Sequence, residues 1–211
     1  MVLLMYACHC PFDLECGEGS SSLEKRSDVK TGRAAQSQNA SSSRDVFQQG
    51  AGVWTLNRPV SNQQGYSLLG FVLPHGVDER LHTPITASLV AVRYGGRYLV
   101  GWNRSRRRWE LPAGGIEWGE SPETCALREL KEESCQALTS VRNCGLAQAR
   151  RSTGLHKYTA LFFAEVDRLQ SFKPNNEWSR IETWDLNTRA RDFDPLDRLV
   201  LQYCDRLVRR G

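Results

Sequence analysis

Gly114-Gly115-Ile116-Glu117-Trp118-Gly119-Glu120-Ser121-Pro122-Glu123-Thr124-Cys125-Ala126-Leu127-Arg128-Glu129-Leu130-Lys131-Glu132-Glu133-Ser134-Cys135-Gln136 is the stretch that decides the reading of this 211-residue chain. The pattern predicts a helix from Ser121 to about Cys135. Ser121 can cap its N-terminus, and Pro122 suits the first helical position, where an N–H has no intrahelical partner. Glu123 complements the positive end of the helix dipole. Glu129, Glu132 and Glu133 stand at i, i+3 and i+4, which places three carboxylates on one helical face. Such neighbours repel by roughly 0.2–0.5 kcal/mol per pair on an exposed helix. A bound cation relieves that repulsion, and Mg²⁺ prefers hard oxygen ligands such as carboxylates and phosphates. A solvated acidic face is the plain alternative. Leu127, Leu130 and Ala137 or Leu138 lie elsewhere on the helix and are expected to face the core.

Outward from the helix, Ile85 to Val92 is β-rich and reads as a buried strand. Gly95-Gly96 marks a turn, and Arg97 to Trp102 reads as the hairpin partner. Trp109-Glu110-Leu111-Pro112 is a short extended segment, and Ala113-Gly114-Gly115 reads as a flexible loop. Behind the helix, strands are expected near Val141–Arg150, Tyr158–Val166 and Ile181–Leu186. Asp194 to Arg209 reads as an amphipathic helix with Leu196, Leu199, Val200, Tyr203, Leu207 and Val208 on one side. Strands and helices mixed in this order indicate a layered α/β (α+β) domain.

The spacing ahead of the glutamates adds specificity. Gly114, five residues, Glu120, seven residues and then Arg128-Glu129-Leu130-Lys131-Glu132-Glu133 resembles the Nudix box. Cys135 and Gln136 depart from it, standing where that pattern has a glycine and a bulky aliphatic residue. The glycine normally lets the chain leave the helix in a left-handed conformation. A cysteine there costs about 1 kcal/mol or more, unless the helix runs one turn further to Leu138. The resemblance extends over roughly residues 84–208 and implies a Nudix-type α/β/α sandwich with a mixed central sheet.

The same resemblance implies a hydrolase that cleaves a phosphoanhydride bond in a nucleoside diphosphate-linked compound, an activity of the pyrophosphohydrolase class. Glu129, Glu132 and Glu133 are expected to hold Mg²⁺ (or Mn²⁺), helped by the Gly114 carbonyl. Glu129 or Glu132 is expected to act as general base, and Glu120 to pair with Arg128 and support the box. Nudix enzymes often add one more glutamate from a later loop; Glu177 is the candidate, against a solvated loop residue. In Arg104-Ser105-Arg106-Arg107-Arg108, Arg104 and Arg106 are candidates for phosphate contacts, because guanidinium forks match phosphate oxygens. Trp118 is a candidate for stacking on a base, whereas Trp109 is expected in the core. A small-molecule nucleotide is the expected partner, with a nucleoside triphosphate or oxidised nucleotide first among substrates. The alternative is a Nudix-fold module that binds nucleotides without hydrolysing them.

Composition bounds these readings. Net charge is +4, with 28 basic and 24 acidic residues, and the excess lies in residues 85–211. A mildly basic domain suits an anionic ligand. The arginine run has no interleaved aromatic platform, so no specific nucleic acid is expected. No stretch reaches the ~18 apolar residues of a membrane span. Seven cysteines, an odd number, fit a reducing compartment better than a disulfide framework, and a cytoplasmic location is expected. The start, Met1 to Cys10, has too short an apolar run and no basic lead for a signal peptide. Cys8, His9, Cys10 and Cys16 lack the second ligand pair of a zinc site. Residues 1–50 read as a disordered leader, 51–84 as an irregular lead-in with short strands or a loose flap, and 85–211 as the Nudix-like domain. A homodimer is compatible with all of this.

Overall fold

A computed structural model describes residues 46–78, 81–189 and 192–210. The leader reading falls on residues 1–45 for the most part, and so do the Cys8, Cys10 and Cys16 readings; these lie outside the described residues, while Phe47–Gln49, at the end of the stretch read as disordered leader, is a strand.

Among the described residues, ten strands form one sheet: β1 (Phe47–Gln49), β2 (Val53–Ser61), β3 (Tyr66–Val72), β4 (Ile85–Tyr94), β5 (Arg97–Asn103), β6 (Arg108–Glu110), β7 (Ala113–Gly115), β8 (Arg142–Arg151), β9 (His156–Val166) and β10 (Trp178–Trp184). Their order is β1-β2-β3-β8-β9-β4-β5-β10, with β6 paired to β5 and β7 to β4. β4 and β9 run parallel and the other named strand pairs antiparallel, so the sheet is mixed. Two helices, α1 (Pro122–Ser134) and α2 (Pro195–Val208), complete it.

Alternation along β4 builds the layers. Val90 and Val92 pack with Ala126 and Leu130 of α1 in one apolar cluster. Leu89 and Ala91 belong to a second cluster, with Leu199, Val200, Leu201, Tyr203 and Cys204 of α2. Because successive strand side chains point to opposite faces, α1 and α2 cover opposite sides of the sheet. The β4–β5 hairpin turns on Gly95 and Gly96, at φ 54° and 76°, the positive angles that a tight hairpin turn requires.

In the lead-in, read from sequence as short strands or a loose flap, the structure has strands. β3 pairs onto β8 and β2 onto β3, which extends the sheet. They bury Trp54, Leu68 and Phe71, and Phe71 stacks on Tyr203 of α2 with ring centroids 4.1 Å apart. Pro59, a residue that cannot donate to a ladder, falls where the β2–β3 register shifts. Residues 113–115, read from sequence as a loop, are a short strand on β4, with Leu89 opposite Ala113 and Ala87 opposite Gly115.

Candidate active site

α1 begins where its capping residues place it. Ser121 Oγ accepts the Thr124 N–H at 3.1 Å, and Pro122 fills the first turn. Its end is set by Cys135, which adopts φ 61° and ψ 17° and donates its N–H to the Lys131 carbonyl. The helix therefore stops at the left-handed turn, not one turn later. Gln136 tucks in behind it, buried, with its amide nitrogen donating to the Ser134 and Gln170 carbonyls at 3.0 Å each.

The three glutamates occupy three environments. Glu133 is 3% exposed and accepts the Ala113 N–H at 2.9 Å. Burial, then the nearby Glu177 charge, pushes its carboxyl well above the usual carboxylate range. The Glu129 side chain is 13% exposed, and burial raises its pKa despite the adjoining Arg128. Glu132 is 59% exposed in its side chain. A helical face that looks uniform in sequence is thus graded from core to solvent along a single turn.

Arg128 ties this face to the preceding loop. Its Nε and Nη2 donate to Glu120 Oε1 and Oε2, both at 2.9 Å, and Nη2 also donates to the Gly115 carbonyl at 3.0 Å. Nη1 donates to Glu129 Oε1 at 2.7 Å and Glu132 Oε2 at 3.2 Å. The forked pairing holds Glu120 down at about 2. Gly114 leaves room for this arrangement, because a Cβ there would lie 1.9 Å from Glu129 Oε1.

Glu177 joins the cluster from the segment before β10. It is half-buried, and its charge acts on both Glu129 and Glu133. Asn175 docks this segment on the helix end, donating to the Glu132 and Glu133 carbonyls at 3.0 and 2.9 Å. Trp178, fully buried, anchors it against Gly101, where a Cβ would stand 1.8 Å from the ring.

The arginine loop reaches the same place. Arg106 Nη1 pairs with Glu110 Oε2 at 2.8 Å; burial lowers its pKa, but the Glu110 charge and hydrogen bond, and then the Glu177 and Glu133 charges, raise it on balance. Arg104 is exposed, and its backbone N–H donates to the Glu177 carbonyl at 2.9 Å. Trp118 is fully exposed on the loop between β7 and α1, with no ring contact among the described residues. Trp109 is buried and packs edge-on to Trp102 and tilted on Trp184. Glu110 and Asn103 had no role in the sequence reading. Both are buried and central here, and no pattern in the sequence singled them out.

The side chains supply the donor chemistry that a divalent cation takes. All the donors are oxygens, Glu110, Glu129, Glu133 and Glu177 concentrate negative charge, and Arg128 leaves one oxygen of Glu129 and one of Glu132 without a hydrogen bond among the described residues. As they stand, no three ligating side chains among the described residues converge tightly enough to hold an ion.

The NUDIX domain family model matches residues 82–202, more than half of the chain, and the chain belongs to that family. Solved structures agree on the fold. A pyrophosphohydrolase of Bacillus subtilis is 18% identical with a TM-score of 0.57, covering 73% of this chain and 98% of its own. An Ap4A hydrolase of C. elegans in a binary complex is 14% identical, with a TM-score of 0.51 and coverage of 61% and 100%. A MutT NUDIX hydrolase of Burkholderia pseudomallei is 19% identical, with a TM-score of 0.50 and coverage of 57% and 98%. Among the described residues, no helix is long and apolar enough to cross a membrane.

Proposed function

We propose that this Nudix-family chain is a metal-dependent hydrolase that cleaves a phosphoanhydride bond in a nucleoside diphosphate-linked small molecule, with nucleoside triphosphates or oxidised nucleotides as its first substrates. The single observation that carries this reading is the graded glutamate face of α1, held open by Gly114 and by the Arg128–Glu120 fork. Glu129, Glu132 and Glu133 would hold Mg²⁺ or Mn²⁺ together with the Gly114 carbonyl. When bound, the ion neutralises phosphate charge and lowers the pKa of a water molecule.

The chain's own residues supply the rest. Glu129 or Glu132 takes the proton of the attacking water; Glu132 is the more accessible of the two. Glu177 sits close enough to bias the charge of both Glu129 and Glu133 and shares in orienting the water. Arg104 and Arg106 lie on the rim beside Glu177 and bind phosphate oxygens of the leaving group or the substrate tail. Trp118, exposed and without a ring contact among the described residues, offers a surface for a base.

The test is a panel of nucleoside triphosphates, oxidised nucleotides and dinucleoside polyphosphates assayed with Mg²⁺ for phosphate and pyrophosphate release. Turnover of at least one member by wild type, with loss on Glu132→Gln, is expected. No product from any member, with Glu132→Gln indistinguishable, favours a nucleotide-binding module without catalysis.

A further inference from the structure

Asn103, at the end of β5, is completely buried and sits where three segments of the site meet. Its Oδ1 accepts the Ser105 N–H at 3.1 Å, the Ser105 hydroxyl at 2.9 Å and the Arg106 N–H at 3.0 Å. Two of those donors are backbone amides, which cannot accept, so the orientation of the side-chain amide is fixed by its surroundings. Its Nδ2 donates to Glu110 Oε2 at 3.0 Å and Glu177 Oε1 at 3.3 Å, one hydrogen for each carboxylate.

We propose that Asn103 is a positioning residue that sets the Glu177 carboxylate and the arginine-bearing turn 104–107 in one register against α1. The inference rests on the hydrolytic reading of the site. Both ends of the side chain are needed. The acceptor end shapes the turn and so places Arg104 and Arg106. The donor end stands between two carboxylates that would otherwise repel, and holds Glu177 toward the α1 glutamates. Asp offers only the acceptor end, and its charge would face Glu110 and Glu177. Ala offers neither. Only a primary amide of this length serves both, and the longer Gln would not fit a fully buried position.

The two ends therefore separate in kinetics. With dGTP and Mg²⁺, Asn103→Asp should lower kcat by at least about tenfold while KM stays within about twofold, since the turn survives and Glu177 moves. Asn103→Ala should lower kcat and raise KM together. In a double-mutant cycle, Asn103→Asp in a Glu177→Gln background should cost little further kcat, because the group it acts through is already gone. A purely structural role predicts the same fold-loss in both backgrounds, and that result overturns the proposal. If Asn103→Asp does not fold, judged by its melting curve, Asn103→Ala carries the cycle.

A metal-free readout stands beside the kinetics. Amide hydrogen exchange at Ser105 and Arg106 should match wild type in Asn103→Asp and accelerate in Asn103→Ala. Equal exchange in Asn103→Ala and wild type overturns the proposal whatever the kinetics show. If wild type turns over no nucleotide, the hydrolytic reading falls, and the exchange measurement still decides whether Asn103 holds the turn.

Discussion

The Glu129 carboxylate lies directly against the α-carbon of Gly114, and a Cβ on Gly114 would stand 1.9 Å from Glu129 Oε1 and 2.0 Å from its Cδ. The strand that carries Gly114 is pinned on β4, so the side chain must give way and not the backbone. Gly114→Ala is expected to displace the Glu129 carboxylate and lower kcat/KM by about 100-fold or more, since a displacement of about 1 Å at a reacting group has that scale. Steady-state kinetics with the best substrate of the panel checks it. Near-wild-type turnover would remove Glu129 from the working site.

The Arg128–Glu120 fork carries a pH signature. Arg128 holds the folded-state pKa of Glu120 at about 2 against an ordinary 4.5. A depressed carboxylate pKa contributes stability that is full above the unfolded value and is lost as pH falls through the folded value. Glu120→Gln should therefore be less stable than wild type at pH 7, by about 1–3 kcal/mol for a charged hydrogen-bonded pair. The gap should close between pH about 4.5 and about 2. Denaturant melts across that window measure it; a gap independent of pH contradicts the ion pair.

Cys135 holds a left-handed conformation at φ 61°, which suits glycine better than any residue with a Cβ. Cys135→Gly is expected to raise stability by about 0.5–1 kcal/mol, the relief of backbone strain exceeding the entropy that glycine loses on folding. A raised midpoint in urea, with turnover unchanged, is the result to look for. A lowered midpoint would mean that the weak Cys135 Sγ contact to the Lys173 carbonyl at 3.7 Å matters more than the turn.

Strands β2 and β3 hold aromatic residues of the α2-side core. Phe71→Ala removes a ring stacked on Tyr203 and edge-on to Phe47, and should cost about 3–5 kcal/mol. A chain starting at residue 46 should melt as a cooperative unit, whereas one starting at residue 74 loses Trp54, Leu68 and Phe71 and should not. Thermal melts followed by near-UV circular dichroism separate the two. A cooperative melt from the shorter chain would show that the α2-side core closes without those strands.

What was legible in the sequence was what is local. The helix, its Ser121 cap and the spacing of Gly114, Glu120 and Arg128 are set within one stretch, and the structure shows the cap and the Arg128–Glu120 pair as hydrogen bonds. A layered domain of strands and helices followed from element order, and the mixed sheet with helices on both sides from the resemblance to the Nudix box. Non-local features were hidden. Short strands or a loose flap could be read locally around Val53 and Tyr66, but not that β3 pairs with β8, far along the chain, and so joins β2 to the main sheet. The three glutamates look equivalent in sequence, and only packing against β7 buries Glu133. Asn103 and Glu110 are ordinary letters until β6, β10 and the segment carrying Glu177 converge on them.

The pairing of β3 with β8 also dictates an order of events during synthesis. Tyr66–Val72 can complete its ladder only after Arg142–Arg151 has left the ribosome. Until then the β2–β3 hairpin has an unpaired edge, and Trp54 and Phe71 stay uncovered longer, until Tyr203 of α2 can pack on them; long-range pairings of this kind form slowly. The interval in which this chain is most exposed to chaperones and to aggregation thus runs from the emergence of β2 and β3 until α2 can cover them.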